Sequence, residues 1–177
     1  MMGRAGVARL AVRGLLCTAV LAVRAAGAHS ASDAYLTFSA EPHGDGELLH
    51  GQWDIALRDL DFVLALDRGT GQLTWGEVRR RQADIERYAY RHLHVLGDGR
   101  ECRIEPQRQW IDEHADGAYA ALFFDVECAS RRKLTLDYSL FFDIDPSHRG
   151  IFVMRQTQDV ATSVLSPRNA RVPLPLE

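Results

Sequence analysis

Cys102 and Cys128 lie symmetrically about Ala115, inside a turn-forming stretch. That symmetry restricts the fold more than any other feature of the chain. Between them the sequence reads as two arms, Arg103 to Ile111 and Ala118 to Glu127, joined by Asp112-Glu113-His114-Ala115-Asp116-Gly117. A polar piece ending in Asp-Gly is turn chemistry. In an antiparallel hairpin the numbers of paired residues have a constant sum. Cys102 and Cys128 sum to 230, which centres the hairpin on Ala115 and sets the two sulfurs face to face at its open end. In an oxidising compartment a cross-link over such a loop stabilises by about 3 kcal/mol. Two free thiols are the alternative. A catalytic pair is not indicated, because no Cys-x-x-Cys spacing occurs.

The start of the chain speaks to the compartment. Arg4, Arg9 and Arg13 supply charge, Gly14 to Val23 is apolar, and Ala26 and Ala28 form a small-x-small exit. These are the three parts of a secretory signal. The apolar run is roughly half the length of about 20 residues that a membrane-spanning helix needs. Cys17 is preceded by Leu16 rather than by a small residue, which argues against a lipoprotein. Residues 1–28 are therefore expected to be a signal peptide, and 29–177 a single soluble periplasmic or secreted domain with His29 as its new N-terminus. The leader holds four of the 21 basic residues and none of the 24 acidic ones, which leaves 17 against 24 and a net charge of −7. Such a chain is a poor nucleic-acid binder. Its basic runs, Arg79-Arg80-Arg81 and Arg131-Arg132-Lys133, are short enough to be solvated element ends.

Period-two alternation dominates the rest. Ala34 to Ser39, Leu48 to Leu57 (Trp53, Ile55 and Leu57 on one face), Leu134 to Leu140 and Ile151 to Met154 all read as strands, with a last strand expected over Asp159 to Leu165. Asp59 to Leu66 reads equally as a short helix or a strand. The period changes once. Thr74-Trp75-Gly76-Glu77 has the form of a capping box, and Val78, Ile85, Ala89, Leu93 and Leu96 then recur at helical spacing until Gly97-Asp98-Gly99. The expected fold is mainly β: an antiparallel, immunoglobulin-like β-sandwich with one inserted helix at about residues 75–96.

Three places carry residues that could do chemistry. Leu66 to Glu77 has the outline of a calcium loop, with Gly71 at the sharp turn, Leu73 as apolar anchor and Glu77 as closing carboxylate. Ungapped alignment puts Leu66 and Arg68 where acidic ligands belong and leaves Thr70 and Glu77. Moving Asp67 into first place makes the loop one residue short. A cation wanting six to eight oxygens is badly served, so calcium is not expected. The plainer role of Glu77 is to close the capping box. His114 and Asp116 in the hairpin turn, and Asp143, Asp145 and His148 in a later loop, are metal ligands by type, and imidazole suits nickel, copper or zinc. Their spacing follows no zinc pattern, and Asp or His in turns often serves turn geometry alone. An N-terminal His29 would offer amine and ring nitrogen to one copper or nickel ion. No phosphate loop or Gly-x-Ser-x-Gly elbow is present, and nothing in the sequence puts the acidic pair Asp59 and Asp61 in a cleft, so no enzyme is expected.

Five stretches together resemble a known family: Ser32-Asp33-Ala34-Tyr35-Leu36, Trp53 to Asp61, Leu73-Thr74-Trp75-Gly76-Glu77, Asp116-Gly117-Ala118-Tyr119 and Leu140 to Gly150. The chain is similar there to the extracytoplasmic N-terminal region of HupE/UreJ-like membrane proteins. The family often carries a fuller acidic loop before Trp-Gly-Glu, and this chain departs from it there. Its members continue into transmembrane helices thought to move nickel or a similar ion. The chain has no apolar stretch of that length after the leader, so the resemblance implies an accessory or interaction role beside a membrane permease, not transport itself.

Overall fold

The computed structural model describes residues 32–175 apart from 45, 68, 70–72, 131, 157 and 158. The expected signal peptide and His29 lie outside the described residues, as do Arg68, Thr70 and Gly71. Two alternating segments open the fold as a hairpin, β1 (Asp33–His43) and β2 (Gly46–Ala56), paired from Ala34 opposite Ile55 to His43 opposite Gly46. Gly44 makes the turn at φ 59°, a left-handed conformation that glycine adopts without steric penalty. Directly after β2 the chain turns into α1 (Leu57–Leu64), which settles the ambiguity of that segment in favour of a helix. Leu57 and Leu60 are its buried face, and Ala65, left-handed at φ 47°, ends it.

The expected helix over 75–96 is corrected. It is two short helices, α2 (Trp75–Arg80) and α3 (Gln82–Tyr90), with a break at Arg81. The last part is a strand, β3 (Leu93–Gly97), in which Leu93, Val95 and Gly97 are buried at period two. Leu93 and Leu96 are also three apart, so local spacing fits a helix equally well. The partner strand decides, since Leu93 to Leu96 pair with Tyr138 to Thr135.

After the short β4 (Arg100–Glu101) come β5 (Arg103–His114) and β6 (Gly117–Cys128), the anticipated hairpin. Cys102 and Cys128 form a disulfide with Cα atoms 4.6 Å apart. Near the turn the pairs sum to 231, as in His114 opposite Gly117. A bulge between Pro106 and Arg108 absorbs Gln107, and beyond it the sum is 230, as in Arg103 opposite Glu127. With Gln107 absorbed, Cys102 falls opposite Cys128.

The remaining strands are β7 (Thr135–Tyr138), β8 (Arg149–Arg155), β9 (Val160–Leu165) and β10 (Arg171–Pro173). Among the described residues, one sheet has six strands in the order β5-β6-β2-β1-β8-β9 and the other has four in the order β10-β7-β3-β4. The chain is mainly β, in two sheets. The expectation of a wholly antiparallel arrangement is corrected at β1 and β8, which are parallel, from Asp33 opposite Arg149 to Ser39 opposite Arg155. β7 takes the chain into the second sheet, so β8 re-enters the first from the same end as β1. An immunoglobulin-like topology does not follow from this sheet order.

The six-stranded sheet buries Leu36, Phe38, Trp53, Leu122, Phe124 and Phe152 on its inner face. Both the four-stranded sheet and α3 pack there: the Trp53 ring lies 5.6 Å from Tyr138, and Tyr90 meets Phe124 edge-on at 5.4 Å. No helix among the described residues is long and apolar enough to cross a membrane.

Candidate functional site

The later loop delivers His148 to the interior. His148 is buried completely, and both ring nitrogens are engaged: Nδ1 lies 2.7 Å from Ser32 Oγ and Nε2 2.9 Å from the Tyr138 hydroxyl. Ser32 Oγ donates in turn to Asp59 Oδ2 at 2.9 Å. Because the serine proton goes to Asp59, Nδ1 must be the protonated nitrogen, and Nε2 accepts from Tyr138. The chain of donors therefore runs one way, from Tyr138 through His148 and Ser32 to Asp59. Burial pushes the His148 imidazole down to about 4, with Asp145 opposing and Arg149 adding to the shift. Burial also raises the Tyr138 hydroxyl and the Asp59 carboxyl, the latter against the pull of Ser32 and Arg58.

The neighbours of His148 serve the loop. Asp145 Oδ1 accepts from the Ser147 backbone N–H at 2.8 Å and from its hydroxyl at 2.6 Å, which is turn geometry. Asp143 is exposed. Phe141 sits at φ 58°, an uncommon conformation for a bulky residue, held by its ring edge-on to His148 at 5.0 Å and stacked on Tyr88 at 5.7 Å.

The hairpin-tip candidates form a separate group on the outer face. His114 stacks on Tyr119 at 4.1 Å, with Nε2 at 3.8 Å from Asp54 and 3.9 Å from Asp112. Asp116 Oδ2 accepts the Tyr119 hydroxyl at 2.8 Å. Among the described residues no three His, Cys, Asp or Glu side chains are grouped so as to hold a metal ion. In the calcium-like segment, Asp67 Oδ1 caps the Gly69 N–H at 3.0 Å. Glu77 Oε2 accepts the Thr74 N–H at 2.9 Å while Thr74 Oγ1 accepts the Glu77 N–H at 3.3 Å, a complete capping box.

A groove escaped the sequence reading. β5 is an edge strand, and α2 and α3 lie alongside it, enclosing a cavity of about 560 Å³. Trp75, the first residue of α2, and Trp110 of β5 are 44% and 48% exposed on its walls. The outer flank of Trp110 is held by Phe123 at 4.9 Å and by the Arg108 guanidinium at 4.6 Å from its ring. The β5 side supplies Gln109, Ile111 and Glu113 from one face of the strand and Trp110 and Asp112 from the other. A cavity touched by both faces of one strand runs along its backbone edge. The Gln109 carbonyl points that way, accepting from Gln82 Nε2 at 3.4 Å. Among the described residues, the Gln109 side-chain amide is shielded from solvent with neither its nitrogen nor its oxygen bonded. Past Trp75 the groove continues into a second cavity of about 370 Å³ lined by Arg58, Asp61, Asp116 and Tyr119. The sequence signal for this site was present in the two tryptophans, but Trp75 reads as part of a cap and Trp110 as part of a hairpin arm.

No protein-family model matches the chain, and no curated protein matches it.

Proposed function

We infer that the chain is an extracytoplasmic interaction domain that docks a partner in the groove between α2 and β5, and that the partner is a membrane permease. The observation carrying this reading is the pair of half-exposed tryptophans on facing walls of a 560 Å³ cavity. Large amphipathic side chains around a shielded, unbonded amide are the composition of a binding hot spot. The secretory leader and the HupE/UreJ-like stretches support the permease. Binding is favoured over catalysis because the Ser32 hydroxyl donates to Asp59 and not to His148, the reverse of an activated nucleophile. The test is a photo-reactive phenylalanine analogue at position 110 or at position 164 on the opposite edge, with irradiation of the source cells. An adduct with an integral membrane protein from 110 and not from 164 is expected. Equal adducts, or none from 110, overturn the reading.

A second reading has its own observation. Ser32, three residues after His29, is hydrogen-bonded to Asp59 in a small cavity shared with Asp145. These carboxylates, with the amine and imidazole of a mature chain beginning at His29, make a donor set suited to nickel or copper. Adding one residue ahead of His29 separates amine from ring. Nickel or copper affinity by titration calorimetry should then fall at least tenfold, about 1.4 kcal/mol. Equal affinity with and without the added residue removes this reading.

A further inference from the structure

We propose, on the reading of the α2–β5 groove as a docking site, that its occupant is an extended, lysine- or arginine-bearing segment that joins the six-stranded sheet as an additional strand beside β5. The direction of the strand's backbone carries the first half. Residues two apart in an antiparallel ladder turn their N–H and C=O the same way. The Gln109 carbonyl reaches away from β6 towards Gln82, so the main-chain groups of Ile111 and Glu113 also face the groove. The Glu113 N–H is capped by Asp112 Oδ1 at 3.0 Å and the Gln109 carbonyl holds Gln82, which leaves the Gln109 N–H and both main-chain groups of Ile111 for pairing. A strand laid there places alternate side chains on Trp110 and Asp112 to one side and on Trp75, Ile111 and Glu113 to the other. The unbonded Gln109 amide, one donor group and one acceptor, matches a peptide unit. Strand addition of this kind draws affinity from main-chain bonds and specificity from alternate side-chain contacts.

Charge carries the second half. Asp112 and Glu113 line the first cavity, and Asp61 and Asp116 the second. Among the described residues, Arg79 is the cation lining the first cavity, and Arg58 of the second already lies 3.5 Å from Asp59. A cationic side chain gains from the carboxylates and from the tryptophan faces together.

Three probes test this on the mature, oxidised protein. One is a capped decapeptide of alternating threonine, valine and lysine. The second has glutamate in place of lysine. The third is the lysine peptide N-methylated at successive residues, so that both of its edges lose their N–H donors. Binding is followed by tryptophan fluorescence, and amide exchange by NMR. The lysine peptide should bind at least tenfold tighter than either other peptide, more weakly at high salt, and should protect the Gln109 and Ile111 amides. Equal binding of the lysine and glutamate peptides overturns the charge assignment. Equal binding of the N-methylated peptide, or protection elsewhere, overturns strand addition. If no peptide binds while the membrane adduct from position 110 persists, this inference falls and the docking reading stands. If the adduct is also absent, both fall.

Discussion

At the scale of single residues, the group with the largest consequence is His148. Its neutral form is held by Tyr138 on one side and Ser32 on the other. The folded value of about 4 lies below the ordinary 6.5, so the unfolded chain takes up the proton first as the pH falls. The stabilisation is complete above 6.5 and is lost between there and about 4, a difference of roughly 3 kcal/mol. The charged groups facing it are Asp145 and Arg149, with Asp59 beyond Ser32; all three are common to wild type and variants. His148→Gln should therefore be less stable than wild type at pH 7, by about 1–3 kcal/mol for the broken network. The difference should shrink from pH 6.5 to 4, as read by urea denaturation at each pH. A constant difference would mean that His148 is not buried neutral. Tyr138→Phe should cost about 1–3 kcal/mol by leaving Nε2 buried without a donor. The sequence makes His148 visible as a candidate ligand. It does not reveal that Ser32, 116 positions away, would engage one ring nitrogen and Tyr138 the other, because neither carries a local sign of that meeting.

Elements show what local chemistry can and cannot specify. The capping box at Thr74 and Glu77 is readable from four residues because both hydrogen bonds lie within one turn. Glu77→Ala should destabilise by about 0.5–2 kcal/mol in thermal or urea melts. Because Glu77 is committed to that cap, calcium up to about millimolar, the weak end for extracellular loops, should leave the wild-type Tm unchanged. A clear rise would assign the carboxylate to the ion instead. The cysteine register is readable too, since pairing sums extrapolate along a hairpin, but the bulge at Gln107 is not. It adds a residue without leaving a mark in the alternation. Removing Gln107 leaves Arg108 opposite Phe123 and Pro106 opposite Phe124, now as consecutive pairs. The deletion should keep the Cys102–Cys128 bond, with no thiol labelled under non-reducing denaturation. Free thiols would show that the bulge itself positions the cysteines. The overlong helix has the opposite cause: Leu93 and Leu96 satisfy two periods at once, and only pairing with β7 selects one.

At the scale of the whole molecule, the parallel β1–β8 pair and the groove beside β5 are set by contacts distant in sequence, which is why neither is legible in a local pattern. What the sequence does convey is that two alternating sets of strands must bury their apolar faces against each other. A close approach in that packing is at Gly150 of β8, where an added Cβ would lie 2.8 Å from Tyr138 Cζ across the two sheets. Gly150 has no positive φ, so substitution there tests space alone. Gly99 offers the opposite case, with φ 77° and open space around it. Gly150→Ala should force the sheets apart or displace Tyr138, costing about 1–3 kcal/mol as overpacking does. Tyr138 also holds His148, so the loop that begins at Phe141 should loosen in amide exchange. Gly99→Ala should lower stability without altering exchange in that loop. Shortening the obstacle separates steric from general effects: in a Tyr138→Leu background the added methyl no longer meets a ring, and Gly150→Ala should cost less than in wild type. Additive losses in this double-mutant cycle would mean that the two side chains do not share the space between the sheets.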